Sequence, residues 1–392
     1  MVVPRYDGGG FAALPATVER LLGVGEGGVA LPGIPAARAV VLVLLDAFGW
    51  KFFVRHSDHP LLRRMQAVTE LTTQFPATTT AHVTTMHSGE PVGVHGLYEW
   101  NVYDPGLDAL VTPLLFSFAG DGARDSLLRA GAEPEAVLPS MPTLYERVAE
   151  HGVESHVFEP AAFAPSTYDR VAARGARIHP MADLAAGLAE VATTLRGASS
   201  PVYAYVYSDE PDTTGHMHGP SSPEFVASSL RCLDAVDRGL RDLPEGTVVL
   251  LAADHGQVDV HPVTTLFVNE AWPELLGLLA RGAGDRVLAP AGSARDLFLH
   301  CRPGRVDEVV EGLERLVGER ATVHRVADIA GAGWFGEVGE RLRARLPDVC
   351  VLPADGGTVW WRERRRFDMS FRGHHGGLTE DEARTQVAAL VV

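Results

Sequence analysis

Apolar runs that each end on an acidic residue constrain this chain more than any other feature. Val40–Leu45 runs into Asp46, Val202–Tyr207 into Asp209 and Asp212, and Thr247–Ala252 into Asp254. Uninterrupted apolar runs of this length read as strands buried on both faces. Amphipathic stretches separate them. Met181–Arg196 places Leu184, Leu188, Val191 and Leu195 at helical spacing, and Ser222-Pro223 opens a helix through Leu230, Leu233 and Val236. Strand and helix in alternation specify an α/β fold, a mostly parallel sheet covered by helices on both faces. Ligands of such sheets gather at the carboxyl ends of the strands, where all these acids fall.

The rest of the chain fits around that sheet. Thr143 and Glu146 form a capping box for a helix that Gly152 stops, and Val153–Phe158 resumes as a strand. From about Ala271 to Pro353 the pattern changes. Strands are expected at Asp296–Cys301, Ala321–Val326 and Val349–Leu352, with helices at Val306–Val317 and Glu337–Leu346. This reads as a smaller α+β cap, residues 271–353, inserted into a core made of residues 1–270 and 354–392.

Composition excludes some partners. With 34 basic and 50 acidic residues the formal charge is −16, so a nucleic-acid polymer would be repelled over most of the surface. A small phosphate ester is not excluded, because bound cations invert the local sign. The basic run Arg362–Arg366 reads as a solvated strand or turn. Cys232, Cys301 and Cys350 are unpatterned and read as small buried apolar residues, not a disulfide framework. The N-terminus lacks a signal-peptide apolar core, and no stretch approaches the ~18 apolar residues of a membrane span. The expectation is a cytoplasmic protein with no membrane partner.

Four acidic and histidine clusters carry the chemistry. They are Asp46, Asp212 with His216, Asp254-His255-Gly256, and His374-His375-Gly376. Divalent ions such as zinc take imidazole nitrogen and carboxylate oxygen, usually four ligands in all. Asp212 and His216, four residues apart, share one side of a helical turn. Asp254 and His255 can share an ion only where the backbone turns, which Gly256 permits. Asp46 ends a buried strand and needs a cation or several donors. One of His374 and His375 completes a set large enough for two ions, each keeping a position for substrate. Zinc suits these ligands best, and manganese or iron would also fit. A hydroxyl among Thr78, Thr79 and Thr80, ahead of a helical run Ala81–Ser88, can supply a nucleophile once a cation stabilises its alkoxide. His82, His87, His95 and His218 read as packing or loop histidines. Asn101 and Arg295 are candidate substrate contacts, and Arg372 is a third.

In order, these motifs resemble the type I phosphodiesterase/nucleotide pyrophosphatase family of the alkaline phosphatase superfamily. Phe75-Pro-Ala-Thr-Thr-Thr with Thr85-Met-His-Ser-Gly89 is similar to its nucleophile block. Glu210-Pro-Asp-Thr-Thr-Gly-His-Met-His-Gly-Pro220 is similar to its acidic metal motif, and Gly373-His-His-Gly-Gly-Leu-Thr-Glu380 to the last metal motif of its bacterial members. The likeness runs from Val40 to Glu382. It implies an alkaline-phosphatase-like core and two zinc ions, one on Asp212, His216 and His375, the other on Asp46, Thr79, Asp254 and His255. It also implies attack by Thr79 on phosphorus, a phospho-threonine intermediate and its hydrolysis by water. The sequence departs from the family at one point. Where eukaryotic members carry an asparagine that binds a phosphoryl oxygen, this chain has Trp100, with Asn101 beside it.

The function expected is therefore a metal-dependent phosphodiesterase or nucleotide pyrophosphatase acting on a small phosphate ester. A phosphomonoesterase or phosphonate hydrolase on the same metals is the alternative within enzymes. A catalytically silent binding protein is the alternative outside them, and it would show an eroded ligand set, whereas here every position is filled.

Overall fold

Strand β1 (Ala39–Leu45) became the centre of the sheet because nothing along it interrupts apolar contact on either side. The computed structural model describes every residue except Arg365. Along the chain come β2 (Ala67–Thr72), β3 (Glu154–Pro160), β4 (Ala176–Met181), β5 (Val202–Ser208), β6 (Val248–Ala252), β7 (Ala291–Gly292), β8 (Leu297–Leu299), β9 (Ala321–Arg325), β10 (Val349–Pro353) and β11 (Arg384–Val391). The helices used below are α1 (Thr79–Ser88), α2 (Leu144–Ala149), α3 (Thr167–Ala172), α4 (Leu184–Gly197), α5 (Glu210–His218), α6 (Pro223–Gly239) and α7 (Val306–Val317). The main sheet has seven strands in the order β2-β11-β6-β1-β5-β3-β4. Pairing is parallel from β6 through β4, and β11 runs against both of its neighbours. The fold class is α/β with a mostly parallel sheet.

Alternation along the strands builds two cores. Val41, Val43 and Leu45 of β1 pack with Leu188 and Val191 of α4 and Leu233 and Val236 of α6. Val40, Leu42 and Leu44 face the opposite core, which includes Ala81 and Met86 of α1. Sealing both faces removes apolar area from water at roughly 25 cal/mol per Å², the dominant stabilising contribution. Local signals fixed the helix starts. Thr143 accepts from the Glu146 amide at 3.0 Å while the Glu146 carboxylate accepts from the Thr143 amide at 2.9 Å, and Ser222 caps α6 through the Phe225 amide at 3.1 Å.

Residues Ala291–Pro353 form a second, antiparallel sheet in the order β7-β8-β10-β9, with α7 against β9 and β10. Arg295 ties it to the main body. That guanidinium, fully buried, donates to both Glu382 oxygens, at 2.9 and 2.7 Å, and to the Ala354 carbonyl at 2.8 Å.

Three strands of the main sheet were not legible in the sequence: β2, β4 and β11. The helix expected over Glu337–Leu346 shrinks to Glu340–Arg343, because Gly336 takes φ +70° and Gly339 enters extended at ψ 174°. Of the basic run, Arg365 lies outside the described residues. Arg362 stacks 3.6 Å over the Phe267 ring and pairs with Glu270 at 3.1 Å. The three cysteines are buried and unpaired. No described helix is long and apolar enough to cross a membrane.

Candidate metal centre

Strand β1 delivers Asp46, β6 delivers Asp254 and His255, and β5 leads into α5 with Asp212 and His216. Because these strands are neighbours in register, residues more than two hundred positions apart meet at one sheet edge. His375 arrives from the loop before β11. It is His375, not His374, whose ring joins the ligand atoms, while the His374 Nδ1 faces backbone at 2.9 to 3.0 Å.

The donors fall into two groups, Asp46–Asp254–His255 and Asp212–His216–His375, each with its ligand atoms within 4.8 Å of one another. In the first, His255 Nε2 lies 3.5 Å from Asp46 Oδ1 and 3.3 Å from Asp254 Oδ2. In the second, His216 Nε2 lies 3.4 Å from Asp212 Oδ2 and His375 Nε2 lies 3.6 Å from Asp212 Oδ1. The groups touch, the rings of His255 and His375 stacking with centroids 3.8 Å apart.

Three observations test whether these donors fit cations. Asp46 Oδ1 and Asp254 Oδ2 are buried with no hydrogen-bond partner, a costly arrangement for carboxylates unless something positive sits between them. Each histidine sets its Nδ1 against a backbone carbonyl: Gly256 at 3.1 Å for His255, Gly373 at 2.8 Å for His216, Ala77 at 2.9 Å for His375. Nδ1 therefore carries the proton and Nε2 offers its lone pair inward, the outer-partner pattern of metal-binding histidines. Burial, with neighbouring imidazoles, holds His255 and His375 far below the usual histidine range, so both are neutral as ligands must be. The residues fit a pair of divalent cations.

Without cations the carboxylates would be in difficulty. Burial, then the charges of Asp254 and Asp212, pushes Asp46 well above the normal carboxylate range. Burial pushes Asp254 up to about 7 and also raises Asp212. Tyr207, kept protonated by burial and by Asp46, donates its hydroxyl proton to Asp46 Oδ2. Gln257 donates its side-chain amide to Asp212. Neither outer partner was singled out from the sequence. Tyr207 closes the strand leading to the acidic motif, and Gln257 sits two residues after His255, so position was the only available signal.

Of the three threonines, the backbone selects one. Thr78 turns its hydroxyl to the Tyr98 carbonyl at 2.9 Å, and Thr80 is buried with its hydroxyl unpartnered. Thr79 begins α1, two residues earlier than the expected helix start, and its Oγ1 lies 3.3 Å from both Asp46 Oδ2 and His255 Nε2. It thus stands inside the first donor group at a helix N-terminus, where backbone dipoles favour negative charge.

Gly256 has a different role from the turn its sequence suggests. A Cβ there would lie 2.0 Å from the Asp381 carbonyl oxygen, so close packing and not left-handed backbone requires glycine. Three further histidines from the sequence are spent on structure. His82 accepts from the Gln74 amide at 2.9 Å, His87 contacts the Tyr145 hydroxyl at 2.7 Å, and His95 accepts from the Leu97 amide at 3.1 Å.

A cavity of about 500 Å³ opens over both groups and is lined by Thr79, Asn101, Asp212, His216 and His375, among others. Asn101 lies on the cavity wall, with Thr112 donating to its Oδ1 at 2.8 Å. Arg295 does not. It is absent from the cavity wall because its donors are consumed by Glu382 and two backbone carbonyls, so the substrate contact expected of it is withdrawn. Arg372 likewise is not on the wall.

A family model described as type I phosphodiesterase / nucleotide pyrophosphatase matches residues 40–378. Murine ectonucleotide pyrophosphatase/phosphodiesterase 5 superposes with a TM-score of 0.66 at 15% identity, covering 89% of this chain and 87% of that one. An inactive form of the same murine protein, in complex with AMP, gives 0.67 at 16% identity over 89% and 87%. Phosphonoacetate hydrolase from Sinorhizobium meliloti, in complex with phosphonoformate, gives 0.64 at 17% identity over 92% of each chain. No curated protein matches the sequence.

Proposed function

The chain belongs to the type I phosphodiesterase / nucleotide pyrophosphatase family of phosphoester hydrolases, and on that premise we propose that it cleaves small phosphodiesters with Thr79 as nucleophile and two divalent cations as cofactor. The observation that carries this reading is that Thr79 Oγ1 stands 3.3 Å from Asp46 Oδ2 and His255 Nε2, inside a donor group whose other carboxylate oxygens, Asp46 Oδ1 and Asp254 Oδ2, are buried without a partner. Asp46, Asp254, His255 and Thr79 would hold one cation, and Asp212, His216 and His375 the other. Zinc is the ion that best suits this nitrogen and oxygen set. When bound, the pair would lower the pKa of the threonine hydroxyl and offset charge on the phosphoryl oxygens.

The chain's own groups supply the rest. Thr79 Oγ1 gives up its proton to solvent and forms the bond to phosphorus as the ester oxygen leaves from the opposite side and takes a proton from solvent. The helix N-terminus of α1 faces the charge that develops, and Asn101, on the same cavity wall, is the candidate amide donor to it. Water then attacks phosphorus, the phosphorus–Oγ1 bond breaks, and Thr79 is restored. Tyr207 and Gln257 keep Asp46 and Asp212 oriented through the cycle.

A diester is favoured over a monoester. Among the described residues the basic side chains of the cavity wall are Arg124, which donates to the Phe163 carbonyl, and Arg366, which pairs with Glu363 and donates to the Ala119 carbonyl. Neither hydrogen-bonds Thr79 or a ligand residue, so no cationic side chain is set at the nucleophile to neutralise a second phosphate charge. Phosphonate hydrolysis remains the second reading, supported by the Sinorhizobium meliloti relative bound to phosphonoformate. The AMP held by the murine relative supports a nucleotide-sized organic group. Turnover of bis(p-nitrophenyl) phosphate, p-nitrophenyl phosphate and phosphonoacetate, with zinc and with a chelator, decides among them. Preferential, chelator-sensitive diester cleavage is expected. Cleavage of phosphonoacetate alone, or no turnover of any ester, would overturn the reading.

A further inference from the structure

Among the donors, His375 arrives on a loop rather than on a strand end or a helix. On its N-terminal side Gly373 and His374 pair with Asp259 and Val258, which fixes the approach from that direction. On its C-terminal side come Gly376, at φ +130°, and Gly377, neither with a side chain to pack. Chain of this kind holds one conformation only where something outside it grips the backbone.

The grip is Glu382, two residues before β11 and fully buried. Its Oε1 accepts from the Gly377 amide at 3.0 Å and its Oε2 from the Thr379 hydroxyl at 2.6 Å. Its backbone carbonyl accepts from the Gly256 amide at 2.9 Å, next to His255. One residue therefore holds backbone close to a ligand of each group. The loop lies tightly on its supports: a Cβ at Gly377 would stand 2.9 Å from Glu382 Oε2, and one at Gly376 would stand 2.5 Å from Asp296 Oδ1.

The second sheet braces the carboxylate. Arg295 donates to both Glu382 oxygens, at 2.9 and 2.7 Å, and a carboxylate gripped by a guanidinium fork has one orientation. The Arg295 amide donates to Ser293 Oγ at 3.2 Å, and the Ser293 hydroxyl lies 3.3 Å from the His375 carbonyl. Neither Glu382 nor Arg295 is on the cavity wall, so the pair does not serve substrate directly.

We propose that Glu382 is a positioning residue: braced by Arg295, it presets the loop so that His375 Nε2 faces Asp212 and His216 before a cation arrives. The affinity of the open site then depends on the second sheet being docked. This rests on the two-cation reading. A preset ligand binds an ion more tightly because binding does not have to order it.

Two double variants test it. Arg295→Met/Glu382→Leu removes the buried pair together, which spares the core an unpaired charge, and takes the loop's acceptor with it. Arg295→Met/Glu382→Gln also removes the charges but keeps an amide oxygen for Gly377. In zinc competition against a chromophoric chelator, wild type should bind two ions. The leucine variant should hold one as wild type does and the other about tenfold or more weaker, while the glutamine variant stays within about threefold of wild type. A His375→Ala background identifies the weakened ion, since the leucine pair should add no further loss there. Equal weakening of both ions, or of neither, would overturn the proposal. If the double variants do not fold, hydrogen exchange of the wild type reads the same point. With chelator present, peptides spanning Gly373–Leu378 should stay protected, and free exchange there would also overturn it. Fewer than two zinc ions in wild type sinks the two-cation reading itself, whereas two ions with unaltered affinities in the leucine variant sinks only the role of Glu382.

Discussion

The two donor groups contain the same kinds of atoms in opposite surroundings. Asp46, Asp254 and His255 are sealed, at 1%, 0% and 0% exposure, on the ends of adjacent strands whose ladders fix them. Asp212, His216 and His375 have side chains 14%, 15% and 11% exposed and come from a helix and a loop. In the sealed group no water can solvate the carboxylates, so protons or a cation must be present for the fold to tolerate them. The open group meets the cavity directly and can exchange its occupant. One group is anchored in the core and the other is set at the entrance.

Thr79→Ala removes the proposed nucleophile from the sealed group and should have the largest effect. The kcat/KM for bis(p-nitrophenyl) phosphate is expected to fall by about 10³-fold or more, since no neighbouring hydroxyl can replace it, while metal content changes little. Thr78 faces the Tyr98 carbonyl, which keeps it from taking over.

Ligand changes separate the groups. Asp254→Asn and Asp212→Asn should each weaken one cation by roughly 100-fold, the upper end of what even outer partners contribute. In chelator, however, Asp254→Asn should melt above wild type because it removes a carboxyl that burial disfavours, and Asp212→Asn should melt near it. Equal behaviour of the two apo variants would erase the contrast between a sealed and an open group. Tyr207→Phe, which leaves Asp46 without its donor, should cost the sealed cation about tenfold in affinity by metal competition.

The smallest effect is on stability against pH. In the chelated protein, Asp46 lies well above its unfolded pKa and Asp254 at about 7, so the folded state holds more protons than the unfolded chain. Unfolding free energy must then fall as pH rises. Buried histidines act in the opposite sense, but only below about pH 6.5, their unfolded pKa. Between about pH 6.5 and about pH 8 the ligand carboxyls contribute a loss on the order of 1 kcal/mol by chemical denaturation; saturating zinc should remove that part and leave the part carried by Glu99 and Glu159, which burial lifts to about 8.

Legibility in the sequence followed the same division. Val40–Leu45 and Thr247–Ala252 announced themselves because strands buried on both faces must be apolar throughout, and their acids then fell at the sheet edge. β2 was missed because it is an edge strand with mixed exposure, and β11 because its reversed direction breaks the strand–helix alternation. The ligand residues were legible as motifs, but their sharing into two groups came only through the family resemblance, since it depends on where the loop carrying His375 returns. Arg295 was misassigned for a related reason. A cationic residue beside a site reads the same whether it faces substrate or clasps a buried Glu382, and only packing tells them apart.

Anomalous diffraction from crystals grown with zinc, and separately with manganese, measures the arrangement most directly. Two peaks are expected, one among Asp46, Thr79, Asp254 and His255 and the other among Asp212, His216 and His375. A single peak, or peaks remote from those seven side chains, would contradict a two-cation centre built on Thr79.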